Sequence, residues 1–509
     1  MTTRLEGLRC AIVALVTLPS TCPAVQVSAQ APSAETRCCS EPATAQLMAA
    51  VERFDILETR QLLRSGADPN RRFRRFEGEE DLGRTPLQVA VASGREPLVR
   101  LLLEARADTN AFAFLENTGE TRSVLSLAAA GGWIPVITVL LAFGARAQAV
   151  DADGTTPAHH AAAEGHVEAL RTLKVAGVQF ERADSTGQTP LLRAARNGHR
   201  PVVEYLLNQK NIDLNWRDHY GHSAITSAIF HNHDDVARVL MPRVDLNTRT
   251  RRGETPLHFA VSGGHIDQCR QLVALGANPK ATDYDGHTLL MSAAAEGTGT
   301  LCQYMLDLGL EVDAKSRRGY TALMNSNSAA CTRLLLQRGA RVNETNVHGE
   351  SALTLAVQSR QQELVEVLLQ HHADPNIVPE RLTVPLAYAA MVDDAGVVEV
   401  LLRGGADPNL RDRDCKTPLM LAAMGGSEAS AQLLLQHGAD PNLRDERGKT
   451  AIEIASESDY ADMERLISTW VRAVARPSAS HSSRRSRENP QNCKTRAPKP
   501  SRETVGRQL

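Results

Sequence analysis

A short motif, Thr-Pro-Leu or a close variant, recurs along most of this chain at an almost constant interval. Its first residue falls at positions 85, 123, 156, 189, 223, 255, 288, 321, 351, 384, 417 and 450, and most successive copies are 33 residues apart. Self-similarity with this period is typical of repeat proteins, in which each small unit buries its apolar face against its neighbours. The spacing therefore predicts one long stack of units in place of several globular domains.

The residues within one unit predict two short helices and a loop. Thr255 is a good N-cap and Pro256 suits a first helical turn, while Gly264 can adopt the left-handed conformation that ends a helix. A second helix with one apolar face ends near Gly276. The turn formers Asp285-Gly286 then predict an extended, hairpin-like finger that leads into the next unit.

In these features the chain resembles an ankyrin-repeat protein. The resemblance covers about residues 43–470, as about thirteen units, and includes Leu-Leu-x-x-Gly-Ala-Asp at 62–68, 401–407 and 434–440. It implies an all-α repeat solenoid: a curved superhelical stack of helix–turn–helix units with β-hairpin-like fingers. The family's His after Thr-Pro-Leu is kept only at His258 and, in a variant motif, at His159.

One unit departs from the pattern. The step from Thr321 to the next motif is 30 residues, and Asn325-Ser326-Asn327 stand where small apolar residues should pack. Because the stability of a repeat array is close to a sum over neighbouring units, one poor interface can divide it. We predict a weak seam near 321–345, where limited proteolysis should cut first.

The two ends differ in composition from the repeats. Residues 1–29 have Arg4 and Arg9 before an apolar run and end in Val27-Ser28-Ala29, which predicts a signal peptide cleaved after Ala29 and, after a linker at 30–42, a secreted or periplasmic protein. A plain leader on a cytoplasmic protein is the alternative. Residues 471–509 are predicted to be a disordered basic tail, because they contain few large apolar side chains.

Charge limits the class of partner. The chain has a net charge of -2, with about +7 in residues 476–509 and -10 in residues 31–475. A strongly basic nucleic-acid binder is therefore excluded for the chain as a whole. No apolar run approaches the length of a membrane-spanning helix, about 18 residues.

The resemblance implies a binding scaffold without chemistry of its own. We expect a monomer that binds an unknown protein through its finger tips and concave face, with no catalytic residues, cofactor, metal or small-molecule substrate. The alternative is an intracellular regulatory adaptor whose basic tail contacts nucleic acid or anionic membrane while the array recruits a partner.

Two sets of loop residues are the candidate contacts, because Tyr, Arg and Phe are typical interface anchors. The first two fingers are enlarged and contain Phe73, Phe76, Phe112 and Phe114. They form either a contact surface or two loops that pack on each other. The second set lies at finger tips: Tyr220, Arg251, Arg252, Tyr284, Arg317, Arg318 and Tyr320. The alternative there is ordinary turn polarity, with each Tyr covering the adjacent finger.

Cysteine and histidine positions follow the repeat. Cys269 and Cys302 occupy equivalent positions in successive units. Stacked helices lie about 8–10 Å apart, whereas a disulfide needs Cα atoms within about 7 Å, so we predict free, buried thiols. A cluster of potential ligands shows no zinc-finger spacing and fills repeat and finger positions, so we predict no metal site there: His219, His222, His231, His233, Asp234 and Asp235.

Overall fold

The repeat produces a row of helix pairs. The computed structural model describes residues 41–72, 84–115, 120–379 and 383–474, and within them it forms thirteen successive pairs of α-helices with an extended finger between pairs. The predicted all-α repeat solenoid is confirmed. The leader, most of the linker and residues 475–509 lie outside the described residues. Helical structure extends on both sides of the predicted 43–470 span.

The helices are α1 Glu41–Glu52, α2 Ile56–Arg64, α3 Pro86–Ala92, α4 Glu96–Glu104, α5 Val124–Ala130, α6 Ile134–Ala142, α7 Pro157–Ala163, α8 Val167–Val175, α9 Pro190–Arg196, α10 Arg200–Leu207, α11 Ala224–Phe230, α12 Asp234–Leu240, α13 Pro256–Ser262, α14 Ile266–Ala274, α15 Leu289–Glu296, α16 Gly299–Asp307, α17 Ala322–Asn325, α18 Ala329–Gln337, α19 Ala352–Gln358, α20 Gln362–Gln370, α21 Pro385–Met391, α22 Ala395–Arg403, α23 Pro418–Gly425, α24 Glu428–Gln436, α25 Ala451–Glu457 and α26 Ala461–Val474. A short 3-10 helix, Met241–Arg243, follows α12. Two strands, β1 Phe112–Leu115 and β2 Glu120–Ser123, pair antiparallel in the enlarged second finger. Among the described residues, no helix is both long enough and apolar enough to cross a membrane.

The motif residues begin twelve of the thirteen first helices, from α3 to α25, as the sequence predicts. Thr255 is the N-cap of α13, and its backbone N–H donates to Nδ1 of His258 at 3.1 Å. Gln88 fills the same role after Thr85, whose N–H donates to Oε1 of Gln88 at 2.8 Å. These reciprocal bonds satisfy donors that a helix start leaves unpaired.

The core lies between successive units. One continuous cluster of buried side chains runs from Leu47 to Ile467, through small residues such as Ala260 and Ala293 on the first helices. Their small size lets neighbouring first helices approach closely. Finger bases add a second link, because the side-chain oxygen of Asn247 accepts the Asn278 N–H at 2.8 Å, and that of Asn409 accepts the Asp440 N–H at 2.7 Å.

The short unit keeps its second helix and loses length from its first. α17 has four residues, whereas α18 has nine. The polar segment after α17 bonds to the preceding unit: the Asn327 N–H donates to the Ala294 carbonyl at 3.2 Å, and Oγ of Ser328 donates to the Gly297 carbonyl at 2.6 Å. Polar contacts thus replace the missing apolar ones, and the weak seam stays a prediction.

The prediction of a free thiol at Cys302 is wrong. Cys302 forms a disulfide with Cys331 of the short unit, with their Cα atoms 5.8 Å apart. The spacing of about 8–10 Å is a distance between helix axes, and Cα atoms that face each other lie closer together, because each stands about 2.3 Å from its own axis. The helices also meet through small residues here: a Cβ added at Gly299 would lie 3.4 Å from the Cβ of Ala330. Cys269 is free and buried as predicted, and burial raises its thiol pKa to about 12. Cys415 is also disulfide-bonded.

Candidate protein-binding surface

Each finger that the structure describes in full folds around a polar side chain that accepts backbone hydrogen bonds. In the finger before α11, Oδ1 of Asp218 accepts the N–H groups of Tyr220 at 2.9 Å and His222 at 2.8 Å. Gly221 between them has φ of 85°, a conformation that favours glycine. The tight turn directs the Tyr220 side chain outward, and 64% of its surface is exposed.

Neighbouring tips are joined by backbone hydrogen bonds. An N–H near one tip donates to the carbonyl just before the tip glycine of the preceding finger, at 2.8–3.0 Å. The donor–acceptor pairs are Ser185 to Asp153, His219 to Thr186, Arg251 to Tyr220, Tyr284 to Arg252, Arg317 to Asp285 and Val347 to Arg318. We call these twelve residues the tip row. It makes seven fingers one continuous edge.

The tip row brings six of the predicted contact residues together. All six are exposed: Tyr220, Arg251, Arg252, Tyr284, Arg317 and Arg318. Within the described part of the chain, none of these four guanidinium groups makes an ion pair. The tip row has two carboxylates: Asp285 is exposed, and Asp153, at the far end of the row, lies 3.9 Å from Nη2 of Arg193. The edge is therefore cationic, with exposed tyrosines among the arginines.

Tyr320 differs from the other two tyrosines. It follows the tip glycine, Gly319, and is partly buried against the core. Its hydroxyl donates to Oε2 of Glu350 in the next finger at 3.5 Å. This geometry agrees with the alternative interpretation of a Tyr that covers the adjacent finger.

An aromatic patch adjoins the tip row. It consists of Tyr220, His222, Phe230 and Phe259. The Phe230 and Phe259 rings meet edge to face at 5.8 Å between centroids, and the His222 ring lies 6.2 and 5.7 Å from them. Phe230 is 60% exposed. Edge-to-face pairs are a favoured aromatic geometry, so the patch is a preformed apolar surface.

Sequence reasoning missed Phe230 and Phe259 because it considered only the loops. Phe230 is the last residue of α11, seven positions after the motif's Ser223, where other units have Ala130 or Ala163. Phe259 lies four positions after its motif, where the next unit has Ser292. Aromatic residues at these two positions, where several other units have Ala or Ser, were the available signal.

Comparisons with known families agree with this architecture. A model of three ankyrin repeats matches residues 173–250, 242–316, 290–378 and 386–469, a model of many copies matches 125–174, and a single-repeat model matches 82–112. The chain belongs to the ankyrin-repeat family. Ankyrin repeats are protein–protein interaction modules and are typically not enzymes.

Individual relatives share only part of this ankyrin array. Human BCL-6 corepressor-like protein 1 is 31% identical over 98 residues, which make up 19% of this chain and 6% of that protein. This chain thus spans a small part of that relative's length. The solved ankyrin repeat domain of Bcl-3, described as a unique member of the IkappaB family, is 27% identical with a TM-score of 0.38; the match covers 42% of this chain and all of that one.

The enlarged fingers of the ankyrin array contact each other at their bases, where Oδ1 of Asn70 accepts the Asp108 N–H at 2.7 Å, and again at Phe112. The Phe112 carbonyl in β1 accepts hydrogen bonds from Nε2 of Gln88 at 2.7 Å and from Nη2 of Arg72, in the other enlarged finger, at 3.4 Å. The Phe112 side chain is 37% exposed. Phe73, Phe76 and the side chain of Phe114 lie outside the description. The Arg72 contact is consistent with loops that pack on each other.

A buried polar network near the third unit is structural. Asp151 accepts hydrogen bonds from the Ser123 N–H at 2.8 Å and the Ser126 hydroxyl at 3.1 Å, and lies 2.8 Å from Nε2 of His160. Thr155 Oγ1 lies 3.1 Å from the same nitrogen. A catalytic triad needs hydroxyl and carboxylate on opposite imidazole nitrogens, so this arrangement does not form one.

Side chains of the His219–Asp235 cluster make contacts between repeat units, as Asp234 does with Gln268. His233 Nε2 contacts the Arg196 carbonyl at 2.9 Å, as a repeat histidine does. Elsewhere, ligand atoms of Asp283, Asp285 and His287 lie within 4.8 Å of one another. Asp283 there accepts the backbone N–H groups of Asp285 and His287, as the aspartate of other fingers does, so turn geometry accounts for the group.

Proposed function

We propose that this ankyrin array is a non-enzymatic scaffold that binds a protein partner along the tip row and the aromatic patch. The observation that carries the proposal is the continuous edge of backbone-bonded tips, with exposed Tyr220 and Tyr284 and four arginines that have no ion pair among the described residues. Tyr and Arg dominate binding energy at protein interfaces. Because the fingers hold each other in place, binding does not have to order the backbone of this edge.

The test is capture by the full chain, with matched variants. A partner retained by the wild type should bind a Tyr284→Ala, Arg318→Ala variant more weakly by about 1–2 kcal/mol or more. Arg238, exposed on α12 away from the fingers, provides the control: Arg238→Ala should leave binding unchanged. Equal affinity for the wild type and the double variant would remove the tip row as the binding surface.

We also propose that the protein is exported and acts as a monomer. The support is the leader at 1–29 together with the Cys302–Cys331 disulfide, since structural disulfides persist in oxidising compartments. N-terminal sequencing of the mature protein should find Gln30 as the first residue. An intact Met1 on cytoplasmic protein would favour the alternative adaptor, whose basic tail contacts nucleic acid or anionic membrane.

A further inference from the structure

The cations of the tip row are available to a ligand in a way that other cations of the fingers are not. Lys315 pairs with Glu344 at 2.5 Å, and Arg249 donates to the carbonyls of Gly253 and Thr282 at 3.0 and 2.6 Å. By contrast, in the described residues the guanidinium groups of Arg251, Arg252, Arg317 and Arg318 have no such partner. A guanidinium matches a carboxylate or a phosphate through two parallel hydrogen bonds, so the free groups favour an anion of this kind.

The backbone of the tips offers no competing mode of binding. The Arg251 and Tyr284 N–H groups are used between fingers, and the Gly253 N–H donates to the Thr250 carbonyl at 2.9 Å. These N–H groups are therefore not available to pair with the main chain of a partner strand. A partner is therefore recognised mainly through the side chains of the tips.

The aromatic patch lies next to two of these arginines. Arg251 and Arg252 belong to the finger that leads into α13, which contains Phe259, and the Arg251 N–H bonds to the Tyr220 carbonyl. Phe230, the most exposed of the phenylalanines whose side chains are described, faces Phe259. Protein interfaces commonly have an apolar centre that loses its water on binding and a polar rim around it. The aromatic patch and the neighbouring arginines have this composition.

From these contacts, and resting on the proposed function, we infer that the partner contributes an acidic segment with an apolar or aromatic anchor residue. The anchor packs on the aromatic patch, and the flanking carboxylates pair with Arg251, Arg252, Arg317 and Arg318. The basic tail of this chain is not the occupant, because its +7 charge has the same sign as the tip row.

A nucleic acid fits these observations less well than a protein segment. Asp285 places a negative charge between Tyr284 and Arg317, where a continuous phosphate backbone would meet it. Residues 31–475 also sum to -10, which repels a long polyanion more than a short segment with few carboxylates.

The experiment is a selection from a displayed random-peptide library on the full-length protein. The counter-target is the full-length variant Phe230→Ala, Arg251→Ala, Arg252→Ala. Both proteins have the same tail, so peptides that bind the tail are removed. We expect the surviving peptides to be enriched in Asp and Glu around one aromatic or large aliphatic residue. All three substituted side chains are exposed or lie at a helix end, so the variant should keep the wild-type circular dichroism melt.

A selected peptide then separates the two parts of the site. Arg251→Ala with Arg252→Ala should weaken its binding about tenfold and reduce the salt dependence. Phe230→Ala should weaken it by a similar factor without changing the salt dependence, and Arg238→Ala should leave it unchanged. Survivors without acidic residues, or a single-stranded DNA oligomer that binds more tightly than the peptide and is lost in the same variants, would overturn the inference. The proposed function would still stand if a captured protein partner remained sensitive to Tyr284→Ala with Arg318→Ala.

Discussion

The units that begin at Thr255 and Thr321 differ most in their first helices. α13 has seven residues and buries Leu257, Ala260 and Val261, whereas α17 has four. Yet both units keep a nine-residue second helix, and the fingers that lead into them both belong to the tip row. An ankyrin unit can therefore lose three of the seven residues of its first helix while the stack continues, provided that the second helices and the fingers stay in register.

The two units are held to their neighbours by different forces. The unit at Thr255 relies on apolar packing and a His258 capping box, while the unit at Thr321 has the Cys302–Cys331 disulfide and hydrogen bonds from Asn327 and Ser328 to the preceding unit. The His258 capping box is sensitive to protonation, whereas the disulfide is sensitive to reduction. This contrast leads to three predictions.

Removal of the disulfide should have the largest effect. The loop between Cys302 and Cys331 spans 29 residues, so Cys302→Ala with Cys331→Ala should lower the free energy of unfolding of the short unit by about 3.5 kcal/mol. Hydrogen exchange of residues 321–345 in the oxidised full chain measures it. A reducing agent added to the double variant reports what the Cys415 disulfide contributes. Equal exchange protection in the variant and the wild type would show that this cross-link does not hold the seam.

Acid should act on the unit at Thr255 and spare the short one. Burial lowers the pKa of His258 to about 4, below its usual 6.5, so between these values the unfolded state binds more protons. Stability is thus complete above pH 6.5 and lost as the pH falls toward 4, by up to about 3 kcal/mol. The short unit has Met324 at this position.

His258→Gln tests the acid effect, because Gln88 already forms the same capping box without titrating. Urea unfolding at neutral and acidic pH should show a smaller loss of stability in the variant. His159 has its pKa lowered to about 4 in the same way, mainly by burial, so part of the wild-type loss should persist. A pH dependence identical to that of the wild type would contradict the assignment to His258.

The smallest expected effect is at Ser328. Its Oγ accepts the Cys331 N–H at 3.2 Å as the N-cap of α18 and also donates to the Gly297 carbonyl. Ser328→Ala should destabilise the short unit by about 1 kcal/mol, measured by the same hydrogen exchange. Ser427 is the matched control, because it makes the contact to the preceding unit, with the Met391 carbonyl at 3.1 Å, without a side-chain cap. A larger loss of stability for Ser427→Ala than for Ser328→Ala would contradict the prediction that the N-cap makes Ser328 the more important of the two.

The fold followed from the sequence because its determinants are local and repeated. Thr N-caps, Pro in the first turn and glycines at the tips each fix the backbone near them, and twelve motifs repeat the same information. The contacts that escaped prediction depend on pairs of units. The disulfide needed the close approach of Gly299 to Ala330, and the aromatic patch needed Phe230 and Phe259 from different units to meet. Single-unit reasoning also could not show that Tyr320, placed after its tip glycine, turns toward Glu350.

The hydrogen bonds between tips also govern how the array deforms. Six bonds tie the finger edge from Asp153 to Val347, whereas the second helices on the far side are joined mainly by side-chain packing. Separating the tips would break bonds that are nearly fixed in length, while the helices can slide by small rotamer changes. The array should therefore bend mainly by changing the spacing of its second helices, while the spacing of the finger tips stays nearly constant. Groups that a partner holds along the tips would keep their separation during this motion.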